Sequence, residues 1–128
     1  MENNLYLIDS SGWIEFLCDE PNAIQYKSYT KRPDLIITPS IVCFEVYRVI
    51  KRKVNEEHAL KAIATLHETE YIPLDESFTV SAADVSLSYG LAMADAIIYC
   101  TAKQYNAKII TSDQDFKDLE GVIYIEKQ

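Results

Sequence analysis

Apolar positions along the chain follow two rhythms. Short unbroken runs at LYLID (5–9), LIIT (35–38), YIPL (71–74), KIIT (108–111) and VIYI (122–125) have the length and content of buried strands. Between them, apolar residues recur at helical spacing. SSGWIEFL (10–17) reads as a short helical turn with Ser10 or Ser11 as its cap. Pro21 stands where a helix start tolerates it and opens NAIQYKSYTKR (22–32). SIVCFEVYRVIKRK (40–53) sets Val42, Val46, Val49 and Ile50 on one face. NEEHALKAIATLHETE (55–70) starts on Asn55 with two glutamates in its first turn. DESFTVSAADVSLSYG (75–90) runs from an acidic cap to Gly90, and AMADAIIYCTAKQYN (92–106) closes near Asn106.

Strands alternating with helices predict right-handed crossovers and a parallel sheet covered on both faces. In such folds polar chemistry gathers at the C-terminal strand ends, where the strand order reverses. Asp9 and Asp113 fall at two of those ends.

Composition narrows the class. A chain of 128 residues is expected to form a single domain over 1–128, long enough to bury one core without staples. The start MENNLYLIDSSG has neither the basic residues nor the apolar stretch of a signal peptide, and no window reaches the roughly 18 apolar residues of a membrane span. Cys18, Cys43 and Cys100 are an odd set without CxxC spacing, expected to be free buried thiols in a reducing compartment. A cytoplasmic protein is expected. With a net charge of −8 and a pI near 4.7, nucleic acid would not be captured by the surface as a whole. A polyanion could still bind if metal ions neutralise the acids and cations are grouped, as Arg48, Lys51, Arg52 and Lys53 are.

Four acids stand at related places. Asp9 follows the first strand, and as an isolated residue it reads equally well as a helix cap. Glu45 shares its helix face with Ile41, Arg48 and Arg52, and an ordinary pairing with Arg48 would account for it alone. Asp95 lies between two alanines at a helix start, where an acid complements the dipole. Asp113 and Asp115 end the fourth strand in a turn that Thr111 and Ser112 can hold and Phe116 can anchor. Taken together, four strand-end or helix-start acids at one end of a parallel sheet suggest a shared purpose. Converging carboxylates repel and are costly to bury without cations. Oxygen ligands with no Cys or His favour Mg²⁺ or Mn²⁺. Two such ions roughly 4 Å apart can activate water and stabilise the leaving oxygen of a phosphodiester.

LIDSS (7–11), Glu45 in its helix, MADA (93–96) and TSDQDF (111–116) occur in the order and spacing of the PIN domain, and the chain resembles VapC-type toxin ribonucleases from residue 5 to about 125. The resemblance implies a three-layer α/β/α fold with a central parallel sheet of about five strands, and a Mg²⁺- or Mn²⁺-dependent endoribonuclease. It implies Asp9, Glu45, Asp95 and Asp113 as the acidic quartet, catalytic and metal-holding, with Asp115 as a more peripheral acid. Ser10 and Thr111 match the small hydroxyl residues that steady such a site. It further implies an RNA substrate, a homodimer, and a small antitoxin whose C-terminal segment occupies the active-site groove.

Other residues fit less well. His58 and His67 lie nine positions apart in one helix, outside every acidic motif, and read as surface residues. Arg48 and Arg52 share the Glu45 face and could contact RNA phosphates, or simply complement a helix C-terminus. Trp13, Phe16 and Leu17 suit a core or dimer contact, or a groove for a partner helix. Two rivals remain. A catalytically silent PIN-like binding module would keep the fold alone. A phospho-acceptor signalling domain would need a lysine at the C-terminal end of a later strand, but Lys108 starts its strand and Glu45 and Asp95 would be idle. A DxD phosphatase is disfavoured by Ser10 and Ser11 after Asp9.

Overall fold

The computed structural model describes residues 4–127. Five parallel strands and six helices alternate along it: β1 (Leu5–Ile8), α1 (Ser10–Leu17), α2 (Ala23–Thr30), β2 (Ile37–Pro39), α3 (Ser40–Lys53), α4 (Glu56–Leu66), β3 (Glu70–Ile72), α5 (Glu76–Tyr89), α6 (Met93–Gln104), β4 (Ala107–Thr111) and β5 (Val122–Tyr124). β1, β4 and β5 form one parallel ladder in the order β1-β4-β5, and β2 and β3 form a second. Among the described residues a single parallel bridge, Tyr6 to Ile36, joins the two. The strands therefore run 3-2-1-4-5, and the order reverses between β1 and β4. Right-handed crossovers from β1 through β2 to β3 move away from β4, and the return from β3 to β4 moves the other way. That change of direction puts helices on opposite faces of the sheet.

The strand interiors explain the pairing. Leu7, Ile8, Ile109 and Ile110 are fully buried, each stabilising the fold by about 1.5–3 kcal/mol relative to exposure. Ile8 pairs with Ile110, so Asp9 and Thr111 are the next residues on adjoining strands. Two strands are displaced from the sequence expectation. The second begins at Ile37 because Pro33 opens a 3₁₀ turn that takes up Leu35. The third is Glu70–Ile72, since Thr69 is buried with its hydroxyl 2.6 Å from that of Thr38 and the chain extends directly after it.

Helix ends follow their capping chemistry. Asn55 accepts from the His58 N–H, Asp75 from the Phe78 N–H, and Gly90 closes α5 at φ 68°. The fourth helix stops at Leu66, four residues short of the segment that the pattern suggested. Trp13 is buried, whereas Phe16 and Leu17 are half-buried. Leu17 lines a cavity of about 450 Å³ with Ile50, Val54 and Ala62. All three cysteines are free, but only Cys100 is buried. Among the described residues, no single helix is long and apolar enough to cross a membrane.

Candidate functional site

Asp9, not Ser10 or Ser11, is the N-cap of α1. Its carboxylate is 2% exposed and has three donors. The Ser11 hydroxyl (2.8 Å) and the Gly12 N–H (3.1 Å) reach Oδ1, and the Thr111 hydroxyl (2.7 Å) reaches Oδ2. The first two follow from the capping turn and the third from the β1–β4 register. Burial pushes the Asp9 pKa up to about 6. The three hydrogen bonds hold it down, and the charge of Asp113 adds a smaller upward push.

Thr111 also works in the other direction, accepting the Asp113 N–H at 2.9 Å. Asp113 in turn caps the 3₁₀ turn Gln114–Phe116, its Oδ1 accepting the Asp115 N–H at 2.9 Å. Phe116 is fully buried and pins the turn. Between Thr111 and Asp113, the buried Ser112 has its hydroxyl 2.6 Å from the Tyr26 hydroxyl of α2.

Asp95 lies in the first turn of α6, half-buried. One carboxylate oxygen from each of Asp95, Asp113 and Asp115 lies within 4.8 Å of the others. Burial pushes the Asp95 pKa up to about 7, followed in effect by the charges of Asp113 and Asp115, a hydrogen bond with Asp115, and the charge of Glu45. Glu45, half-buried on α3, accepts the Ser10 hydroxyl at 2.8 Å, and no ion pair to Arg48 forms. Ser10 thus ties the start of α1 to α3.

The structure brings Asp95 and Asp113 together, with Asp115 as the third member of a tight trio. Asp9 is joined to that trio through Thr111, and Glu45 acts on Asp95 through its charge. Arg48 and Arg52 are exposed on α3, three and seven residues after Glu45. His58 and His67 are exposed on and just after α4, His58 with its Nδ1 2.8 Å from the Asn55 Oδ1. The residues that the pattern could not point to are Gly12 and Tyr26. The Gly12 N–H reaches Asp9 within one capping turn, whereas Tyr26 meets Ser112 from 86 positions away.

Among the described residues, the ion pairs are Arg32–Asp34, Lys51–Glu56 and Lys103–Glu120, so no basic side chain neutralises the trio. Three hard oxygen donors without nitrogen or sulfur match the preferences of Mg²⁺ and Mn²⁺. The donor set therefore fits a divalent cation, which would also relieve the mutual repulsion that adds to burial in raising the Asp95 pKa.

A family sequence model described as the PIN domain matches residues 6–122. No curated protein sequence matches the chain. Among solved structures, the fold resembles that in a toxin–antitoxin complex from Klebsiella pneumoniae (TM-score 0.80, 22% identity, 95% of this chain and 99% of that one). It also resembles VapC20 from Mycobacterium tuberculosis, described as a sarcin–ricin loop cleaving toxin (0.78, 14%, 95% and 99%). A third is VapBC2 from Rickettsia felis, bound to a DNA fragment from its promoter (0.74, 16%, 97% and 99%). At these identities the likeness is one of fold.

Proposed function

The chain belongs to the PIN domain family, and from that premise we propose that it is a divalent-metal endoribonuclease and the toxin of a toxin–antitoxin pair. The observation that carries the reading is the approach of Asp95, Asp113 and Asp115 to within 4.8 Å with no basic partner. Asp9, Glu45, Asp95 and Asp113 form the acidic set, and Asp115 joins Asp95 and Asp113 in holding Mg²⁺ or Mn²⁺. When bound, such a cation lowers the pKa of water and stabilises charge on a phosphodiester oxygen. The chain's own residues do the rest. Thr111 and Ser10 fix the Asp9 and Glu45 carboxylates, and Arg48 and Arg52 contact RNA phosphates on the face that Glu45 shares. Exposed Phe44, beside Glu45 on α3, offers a base a stacking surface.

The toxin role draws support from the toxin–antitoxin neighbours, and RNA as substrate from the neighbour described as cleaving the sarcin–ricin loop. The half-open apolar cavity at Leu17, Ile50, Val54 and Ala62 suits an antitoxin helix. A homodimer and a cytoplasmic setting complete the reading.

The test is cleavage of structured RNAs by antitoxin-free protein in Mg²⁺ or Mn²⁺, with chelator and Asp95→Asn alongside. Discrete products lost in both controls are expected. Cleavage that persists in Asp95→Asn would remove this site from the reaction. RNA binding without cleavage in any metal would favour the silent binding module.

A further inference from the structure

Ser112 is flanked by two residues that serve the acids directly, yet its own hydroxyl meets Tyr26, 86 positions away. Tyr26 is fully buried. Its ring packs against Gly12, where an added Cβ would clash with the ring Cε1 and stand 2.8 Å from the Ile8 Cγ2. The N–H of that same Gly12 donates to Asp9. The ring is therefore wedged against the turn that carries Asp9, while the hydroxyl is bonded to the loop that carries Asp113 and Asp115.

The strut is also fixed at its base. Asn22, one helical turn before Tyr26 and fully buried, donates from Nδ2 to the Glu126 carbonyl at 3.0 Å, just beyond β5. Burial raises the phenol's pKa further above its ordinary value, so it stays a neutral hydroxyl across the working range. Contact at the ring sets position, and the hydrogen bond sets direction.

We propose that Tyr26 is a positioning residue of the acidic site: through Ser112 its hydroxyl sets the loop that aims Asp113 and Asp115 at Asp95. The role rests on the reading of these acids as metal ligands. Tyr26 itself touches neither metal nor RNA.

Tyr26→Phe keeps the ring against Gly12 and removes only the hydroxyl, and Ser112→Ala removes the partner from the other side. Two measurements on each variant and on the pair decide the matter: Mn²⁺ affinity by calorimetric titration, and amide hydrogen exchange by NMR in metal-free protein. Each single change should weaken Mn²⁺ binding by about tenfold, the scale for groups that orient ligands. The double variant should be no weaker than the weaker single one, because both remove one bond. Exchange at the Asp113 and Asp115 amides should quicken by about tenfold with Ile109 and Ile110 unchanged. Unaltered exchange at Asp113 and Asp115, additive losses in the double variant, or exchange rising evenly along β4 would each overturn the role. Failure of the unaltered protein to bind Mn²⁺ would instead sink the nuclease reading, and the exchange data would still decide whether Tyr26 sets the loop.

Discussion

Asp9 and Asp95 are the same chemical group at the same end of one sheet, yet their surroundings differ. Asp9 is the more deeply buried, and burial alone would raise its pKa further. Three donors from Ser11, Gly12 and Thr111 restrain it to about 6. Asp95 is half-buried but faces Asp113, Asp115 and Glu45, and rises to about 7. Hydrogen bonds thus offset part of the cost of burying one charge, whereas for the other like charges add to burial, the larger cause, and among the described residues no donor opposes them. Asp9 is provided for by the protein, whereas among the described residues no basic side chain pairs with the trio.

The largest effect that separates the two environments is on stability as pH changes. Both folded pKa values lie above the unfolded carboxylate value of 3.8, so the folded state holds more protons in between. Stability from these groups is therefore fully present below about pH 4 and is lost as pH rises through about 6 and 7. For Asp9 the loss amounts to roughly 3 kcal/mol. Metal-free protein should show Tm falling across this window by scanning fluorimetry. Saturating Mn²⁺ should flatten the part due to the trio and leave that due to Asp9. A decline wholly abolished by Mn²⁺ would mean that Asp9 also binds the cation directly.

Removing one donor from Asp9 tests the other side of the contrast. Thr111→Val keeps the shape of the side chain but leaves Oδ2 buried without a partner, at a cost of about 1–3 kcal/mol in denaturant unfolding. The Asp9 midpoint, followed by carboxyl carbon NMR, should climb above about 6, because a hydrogen bond that lowers it is gone. An unchanged midpoint would show that burial is not opposed by that bond.

The smallest change in stability is expected at Asp115, which is exposed. Asp115→Asn should alter unfolding free energy by no more than about 0.5 kcal/mol. It should nonetheless draw the Asp95 midpoint down from about 7 and leave Asp9 near 6. Equal movement of both midpoints would dissolve the distinction between the two environments.

Much of this was legible in the sequence for local reasons. Apolar runs at 5–9, 108–111 and 122–125 mark β1, β4 and the half-buried edge strand β5 because a parallel sheet is covered on its faces. Asn55, Asp75 and Gly90 announce helix ends through chemistry that needs only near neighbours. The bounds of β3 were harder, since polar Glu70 joins it by pairing with Ile37 while Pro73 and Leu74 of the apolar run lie outside it. In the site, the order of the acids could be read from the chain, but which oxygens approach one another could not. Asp115 enters the trio because a 3₁₀ turn follows Asp113, and the sequence suggested only a turn of some kind. Gly12 and Tyr26 were invisible because one contributes an absence and the other a contact across 86 residues.

The lone bridge between Tyr6 and Ile36 has a consequence for engineering. The segment from Ile37 to Ile72 is continuous in sequence, meets the other strands along that one seam, and otherwise holds to the remainder through α3 packed on α1 and α6. It carries Glu45 and the cations of α3, while Asp9, Asp95, Asp113 and Asp115 belong to the remainder. It is the natural cassette for a chimera. Transplanting this unit from a relative would exchange the surface offered to a polyanion while keeping the trio and its scaffold from the host.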